Sequence, residues 1–291
     1  MNTAPFDFAF ENYPLAPLTL YNVGGPARLA LVPRTINEAR DAYEWMRAQD
    51  TKRIVLGGGS NVLIDDNGFD GIVMITSGLT GVSELGDHRY SIESGVVLDH
   101  VVTCIMIPNN YALVGALTGI PGSVGGAIYM NAGTVNGSTC MLLESVEVMT
   151  PADGYACVPM SESLYSYRGQ TFCPRGGLIL GGVFRFEQAA EDQRAIYDHY
   201  IQRRKEKQPQ GKCCGSVFKN PNGDHAGRLI EACGLKGTRH GGAVISPMHA
   251  NFIMNEDNAT SADILALIAL VKKTVHDTFG VKLEEEVVYI N

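Results

Sequence analysis

The stretch Gly211-Lys212-Cys213-Cys214-Gly215-Ser216-Val217-Phe218-Lys219-Asn220-Pro221 sets a hydroxyl beside glycine and follows it closely with an ammonium and an amide. Just upstream lies the basic run Arg203-Arg204-Lys205-Glu206-Lys207. A Gly-Ser turn and a Lys-Asn-Pro loop closure would explain the same residues without chemistry, and for this stretch taken alone that is the better reading. A second group, Gly57-Gly58-Gly59-Ser60-Asn61, follows the apolar segment Ile54-Val55-Leu56 directly. Glycines there let backbone N–H groups close on an anion. No Gly-Lys-Ser/Thr follows, and Val62 takes the last glycine position of a dinucleotide fingerprint. A tight turn alone needs fewer glycines, so phosphate binding is the better reading. A third group, Gly119-Ile120-Pro121-Gly122-Ser123-Val124-Gly125-Gly126, is stiffened by Pro121 and followed by Asn131. Two such loops on separate lobes suit a ligand with a diphosphate body, such as a dinucleotide cofactor.

The elements that must carry these loops can be read from periodicity. Thr35 and Glu38 form a capping box for a helix running to about Gln49, with Ile36, Ala39, Tyr43 and Met46 facing inward. Strands are expected at 54–56, 62–64 and 71–75, giving a small α/β lobe. A second lobe begins near Leu79, with strands at 90–93, 144–150 and 178–186 and a buried helix from Val97 to Ile107. A helix from about Glu191 to Lys207 puts Arg204 and Lys207 on one face. The third lobe holds the serine stretch, a helix from Ala226 to Cys233, and an amphipathic helix from Ser261 to Phe279. Ile264, Leu267, Ile268, Val271, Val275 and Phe279 form the stripe of the latter, and Gly280 stops it. Such a stripe is core. A strand from Val281 to Ile290 ends the chain; its alternation groups Glu284 and Glu286 with Val288 and Ile290, and Glu285 with Leu283 and Val287.

At 291 residues, 45% of them apolar, the chain can bury a large core. Its net charge of −8 argues against nonspecific binding to nucleic acid or anionic membranes, although a local basic cluster can still serve an anionic small ligand. Seven cysteines without Cys-x-x-Cys pairs fit reduced thiols better than disulfides or a zinc site, so no metal is expected. Cys213 and Cys214, with no histidine nearby in sequence, read as packing residues. No signal peptide or membrane span is legible, and a cytoplasmic monomer is expected.

Further segments carry a family resemblance. Tyr21-Asn22-Val23-Gly24-Gly25-Pro26-Ala27, the Gly57–Asn61 loop, Gly119–Gly126 with Met130-Asn131-Ala132-Gly133, and Ser166-Tyr167-Arg168 resemble the FAD-binding half of bacterial UDP-N-acetylenolpyruvoylglucosamine reductases. Gly215–Pro221, Gly234-Leu235-Lys236-Gly237, His249-Ala250-Asn251-Phe252 and Leu283-Glu284-Glu285-Glu286-Val287 resemble the substrate-binding half. The likeness runs in order along nearly the whole chain, and the length is similar to that of the shorter class, which lacks a substrate-covering insertion. Gly115 stands where the family more often has glutamate, and Gln170 where serine is usual.

The resemblance implies an α+β protein: a vanillyl-alcohol-oxidase-type (PCMH-type) FAD-binding fold of two α/β lobes, 1–78 (joined by 287–291) and 79–205, plus a C-terminal α/β substrate domain, 206–286. It implies reduction of the enolpyruvyl ether of a UDP-sugar to UDP-N-acetylmuramate, with FAD as cofactor and NADPH as hydride donor, for peptidoglycan. Tyr21, Gly57, Gly58, Gly59, Ser60, Asn61, Gly119, Pro121, Gly122, Ser123, Gly125, Gly126 and Asn131 would hold the cofactor. Arg204, Lys207, Lys219, Asn220 and Asn251 would contact substrate. Arg168 would stabilise charge on the substrate carboxylate, Ser216 would donate the proton, and Glu286 would polarise the carboxylate. A serine hydroxyl is a weak acid, so Ser216 would need a partner, for which Lys207 and Lys219 are equally eligible. An acidic run is ordinarily a solvated face, so Glu286 is chosen by the resemblance alone. Two rivals are a flavin oxidase or dehydrogenase of the same fold, against which the serine motif argues, and a non-catalytic flavin-binding paralogue, against which the retained Arg168, Ser216 and Glu286 argue.

Overall fold

The computed structural model describes residues 4–291. The chain divides into two compact units: one of residues up to Glu11, Leu29–Gly58 and Gly71–Arg203, the other of Asn12–Arg28, Gly59–Asp70 and Arg204–Asn291. The three-lobed division read from the sequence stands beside this as a proposal about folding units.

A four-stranded sheet runs in the order Ala9–Pro14, Pro26–Leu31, Phe69–Ile75, Lys52–Leu56. In the first unit its inner face meets the helix Ile36–Arg47 through Ala39, Ala42, Tyr43 and Met46. Thr35 caps that helix as expected, accepting from the Glu38 N–H at 3.2 Å. The Glu38 carboxylate, however, accepts from the Arg34 N–H rather than closing the box on Thr35. The second sheet of this unit is antiparallel and five-stranded, in the order Gly154–Pro159, Leu143–Thr150, Leu178–Arg185, Arg89–Glu93, Val82–Gly86. Against it lies the expected Val97–Ile107 helix in altered form: one α turn at Leu98–His100, then a π-helix from Val101 to Met106. Val101, Val102, Ile105 and Met106 are all buried.

In the second unit, the antiparallel strands Arg239–His240, Ala243–Ile245 and Ile253–Asn255 pack on the helix Ser261–Phe279. That helix has the predicted bounds because its signals are local. Thr260 and Asp263 form a reciprocal capping box, and Gly280 ends the helix with a φ of 70° that favours glycine. Ile264, Leu267, Ile268, Val271 and Val275 are buried, but Phe279 at the end of the stripe is 40% exposed, with the Arg228 guanidinium over its ring.

The C-terminal strand is shorter than expected. Only Val288–Ile290 is a ladder strand, parallel to Val62–Ile64. Residues 281–287 form no regular strand; they pair irregularly, with one isolated bridge between Glu285 and Phe218. The alternation of faces is broken accordingly: Leu283 and Val287 are buried, Glu285 between them is exposed, and Glu286 is half-buried.

Candidate active site

The two glycine-rich loops of the first unit meet backbone to backbone. The Gly58 N–H donates to Ser123 Oγ at 3.2 Å, and the same oxygen caps the helix Val124–Tyr129 by accepting from the Gly126 N–H at 3.4 Å. A Cβ on Gly58 would lie 2.7 Å from Gly122 Cα, which explains the glycine better than a turn does. Gly58 and Pro121 are exposed and Gly57, Gly119 and Gly122 half-buried, so the outer surface of the pair is largely main chain. Backbone N–H groups in such a surface suit a diphosphate, so these residues fit FAD. In the second unit Gly59, with φ at +60°, lies against Leu18: a Cβ would stand 1.7 Å from the Leu18 carbonyl oxygen. Ser60 is half-buried. Asn61 donates through Nδ2 to the Glu286 carbonyl at 2.9 Å, which fixes the main chain of a proposed catalytic residue.

Arg168 sits in the first unit on a minimal hairpin. Tyr165 pairs with Gln170 and Ser166 with Gly169, leaving Tyr167 and Arg168 as the turn, with Arg168 at φ +55°. Its guanidinium carbon lies 5.2 Å from the centre of the exposed Tyr167 ring. Asn131 Nδ2 donates to the Ser166 carbonyl at 2.8 Å, and its Oδ1 accepts from the Cys140 N–H at 3.1 Å. Gln170 Oε1 accepts from the Cys173 N–H and its Nε2 donates to the Cys173 carbonyl, both at 2.7 Å.

Ser216 sits in the second unit on a segment held from two sides. Val217 and Phe218 are buried in the core. The Val217 N–H donates to the Asn251 carbonyl at 2.9 Å, and the Asn251 side chain pairs with Phe218, accepting from its N–H at 3.0 Å and donating to its carbonyl at 2.8 Å. From the other side the Glu286 N–H donates to the Val217 carbonyl at 2.8 Å, and the Lys219 N–H to the Glu284 carbonyl at 2.9 Å. Ser216 and Glu286, far apart in sequence, thus lie on directly bonded segments. Cys213 and Cys214 are buried in the same core; burial pushes the Cys214 thiol up to about 12, which leaves it inert.

Three residues expected to touch ligand have other tasks. The Tyr21 ring is fully buried in the second unit's core. Burial, and then the Cys214 thiol beside it, raise the Tyr21 hydroxyl well above its ordinary range. The Tyr21 carbonyl accepts from Asn255 Nδ2 at 2.9 Å, while the Asn255 N–H donates to the Lys212 carbonyl at 2.9 Å. Asn131 and Asn251 are 4% and 3% exposed, with both ends of each amide on backbone, so they position loops instead of presenting an open amide. Of the remaining substrate candidates, Asn220 is exposed but its Oδ1 accepts from the Ala226 N–H at 3.1 Å, at the start of a helix. Lys219 Nζ lies 3.4 Å from the exposed Glu284 carboxylate. Arg204 Nη1 donates to Gln208 Oε1 at 3.0 Å, and Lys207 is exposed at the end of its helix. Sequence reasoning missed Asn255 and gave Gln170 no task. The only signal for Asn255 was an amide in the apolar run Phe252-Ile253-Met254. The Gly115 departure has a steric reason: a Cβ there would stand 2.7 Å from the Tyr200 ring.

Residues 207–290 match the model of the UDP-N-acetylenolpyruvoylglucosamine reductase C-terminal domain, and residues 27–157 that of an FAD binding domain. A UDP-N-acetylenolpyruvoylglucosamine reductase of Chloroflexus aggregans is 39% identical over 95% of each chain. The chain belongs to this reductase family. The Myxococcus xanthus reductase is 38% identical over 94% of this chain and 89% of its own. The crystal structure of the Thermus caldophilus reductase superposes with a TM-score of 0.78 at 32% identity, covering 97% of this chain and 98% of that one. The FAD-binding fold followed by a C-terminal substrate domain is therefore the architecture of the family, and FAD its flavin. Among the described residues, no helix is long and apolar enough to cross a membrane.

Proposed function

We propose that Arg168, Ser216 and Glu286 carry the family's reaction in this chain, the reduction of the enolpyruvyl ether of a UDP-sugar to UDP-N-acetylmuramate for peptidoglycan synthesis. NADPH is the proposed hydride donor, and the protein is proposed to work as a cytoplasmic monomer. The cofactor, when bound, supplies the hydride that reaches the β-carbon of the enol ether. The electron pair of the C=C bond then moves toward the substrate carboxylate. Arg168, a planar and permanently charged fork, holds that carboxylate and stabilises the charge as it grows. Glu286 helps to polarise the same group. The Ser216 hydroxyl gives its proton to the α-carbon, completing the lactyl ether, and its oxygen recovers a proton through Lys207 or Lys219. Gly57–Asn61 and Gly119–Gly126 hold the cofactor through main-chain groups, and Arg204, Lys207, Lys219 and Asn220 hold the substrate.

One observation supports this assignment above others: the bond from the Glu286 N–H to the Val217 carbonyl brings the proposed proton donor and carboxylate onto neighbouring segments. Ser216→Ala tests it. The variant should be bleached by NADPH at the normal rate, because no carbon is protonated in that half of the reaction. Recovery of absorbance with the enolpyruvyl nucleotide sugar should slow roughly a hundred- to ten-thousandfold, the range of general acid catalysis. Equal slowing of both halves would make Ser216 a pocket residue.

A further inference from the structure

The Arg168 turn is too small to hold itself. Its strands contribute two residues each, Tyr165–Ser166 and Gly169–Gln170, and an isolated hairpin of even ordinary length is marginal in water. The turn also places Arg168 at φ +55°, in the left-handed region where a residue with a Cβ is strained by about 1–2 kcal/mol. Such a conformation persists only where its surroundings dictate it.

On the C-terminal side the Thr171 N–H and Oγ1 donate to the Leu164 carbonyl at 2.9 and 3.3 Å, which closes the pairing, and one side chain ties that strand to the core. Gln170 reaches Cys173 with both ends of its amide, accepting from the N–H and donating to the carbonyl at 2.7 Å each. This is the two-bond pattern of an antiparallel strand pair, made by a side chain. Cys173 is 2% exposed and packs with Phe172 in the core of the unit, so Gln170 ties the second strand of the hairpin to a fixed point. Glutamate at 170 would have no donor for the carbonyl, and serine would be too short to span both bonds.

We infer that Gln170 is the positioning residue for Arg168: its amide, locked to the Cys173 backbone, fixes the turn from which the guanidinium reaches the substrate carboxylate. The inference rests on the role proposed for Arg168. A purely structural Gln170 would hold only the loop to Leu178, and the two cases differ in whether its effect depends on Arg168.

The test is a double-mutant cycle on the FAD-loaded protein, using Gln170→Ala, Arg168→Ala and the two combined. Stopped-flow absorbance follows bleaching by NADPH and recovery with the enolpyruvyl nucleotide sugar; hydrogen exchange follows the amides of residues 167–169. Gln170→Ala should slow recovery roughly ten- to a hundredfold, the scale of a misplaced group, while bleaching stays within about twofold. In the Arg168→Ala background the same change should slow recovery no further. The amides of 167–169 should exchange faster in Gln170→Ala. Equal slowing of both halves, or an equal loss with and without Arg168, overturns the inference. Normal recovery in Gln170→Ala beside slow recovery in Arg168→Ala overturns it alone. Normal recovery in Arg168→Ala overturns the role of Arg168, and this inference with it. If Gln170→Ala does not fold, Gln170→Glu, which keeps the acceptor for the Cys173 N–H, takes its place in the same cycle.

Discussion

The Arg168 hairpin of the first unit and the Ser216 segment of the second solve the same problem by different means. Each presents one proposed catalytic side chain, and each is gripped by a buried side-chain amide. Around Ser216 the grip is added to a hydrophobic anchor: Val217 and Phe218 are 0% and 2% exposed, and main-chain bonds run to both neighbouring segments. Around Arg168 the turn is more open: Tyr167 is 60% exposed, the flanking Tyr165 is only partly buried against the core, and side-chain amides from Asn131 and Gln170 add to the Thr171–Leu164 bond that closes the hairpin. The difference predicts that damage near Ser216 appears first as lost stability, and damage near Arg168 first as lost rate.

Phe218→Ala should give the largest effect. Removing a fully buried aromatic ring from a close-packed core destabilises by about 3–5 kcal/mol. Denaturant unfolding should show that loss in the second unit, and a cost below about 1 kcal/mol would mean that the Ser216 segment is not anchored by its core residues. Arg168→Lys should do the opposite. Lysine carries the charge but not the fork, so the unfolding midpoint should barely move, whereas recovery of the flavin spectrum by substrate slows about a hundredfold. A near-normal rate would remove Arg168 from the reaction.

How far the sequence announced this arrangement depends on whether the cause was local. Ser261–Phe279 was legible to the residue, because the stripe, the αL stop at Gly280 and the helix period all lie within the segment. The glycine loops were legible too, since close main-chain approach leaves glycine as the only residue that fits. Val281–Ile290 was not, because apolar alternation cannot tell a ladder strand from an irregular segment held by Val217 and Phe218. The amides were the most misleading. The resemblance gives Asn131 and Asn251 as ligand contacts, yet both side chains turn inward onto backbone that only the fold brings near. A buried amide and an exposed one look the same in sequence.

A smaller effect sharpens the comparison on the second unit's side. Asn251→Asp keeps the acceptor for the Phe218 N–H but loses the donor to its carbonyl. An orphaned buried acceptor costs about 1–3 kcal/mol. The thermal midpoint should fall accordingly, with Ser216 chemistry slowed only as far as the segment shifts. An unchanged midpoint would show that the main-chain bonds suffice without the side chain.

The smallest expected effect is a pH dependence of the same grip. The Asn251 N–H donates to His249 Nδ1 at 3.2 Å, so the ring must be neutral at that nitrogen. Burial first, and then the Lys236 ammonium, hold the His249 pKa below its ordinary value of 6.5, against a backbone hydrogen bond of the ring and the Glu231 carboxylate. Unfolded, the ring titrates at about the ordinary value. Between the folded and unfolded values the unfolded chain binds the extra proton, so stability falls as pH falls through that window and is complete above it. Carboxylates such as Asp263, held below the usual range mainly by the Thr260 N–H, titrate at lower pH and leave this window to histidine. Unfolding midpoints measured from about pH 7.5 down to about pH 5.5 should therefore decline, and His249→Gln, which can still accept from Asn251 but cannot titrate, should flatten the slope. An identical slope in His249→Gln would place the acid sensitivity elsewhere and leave the Ser216 segment with a grip that pH does not reach.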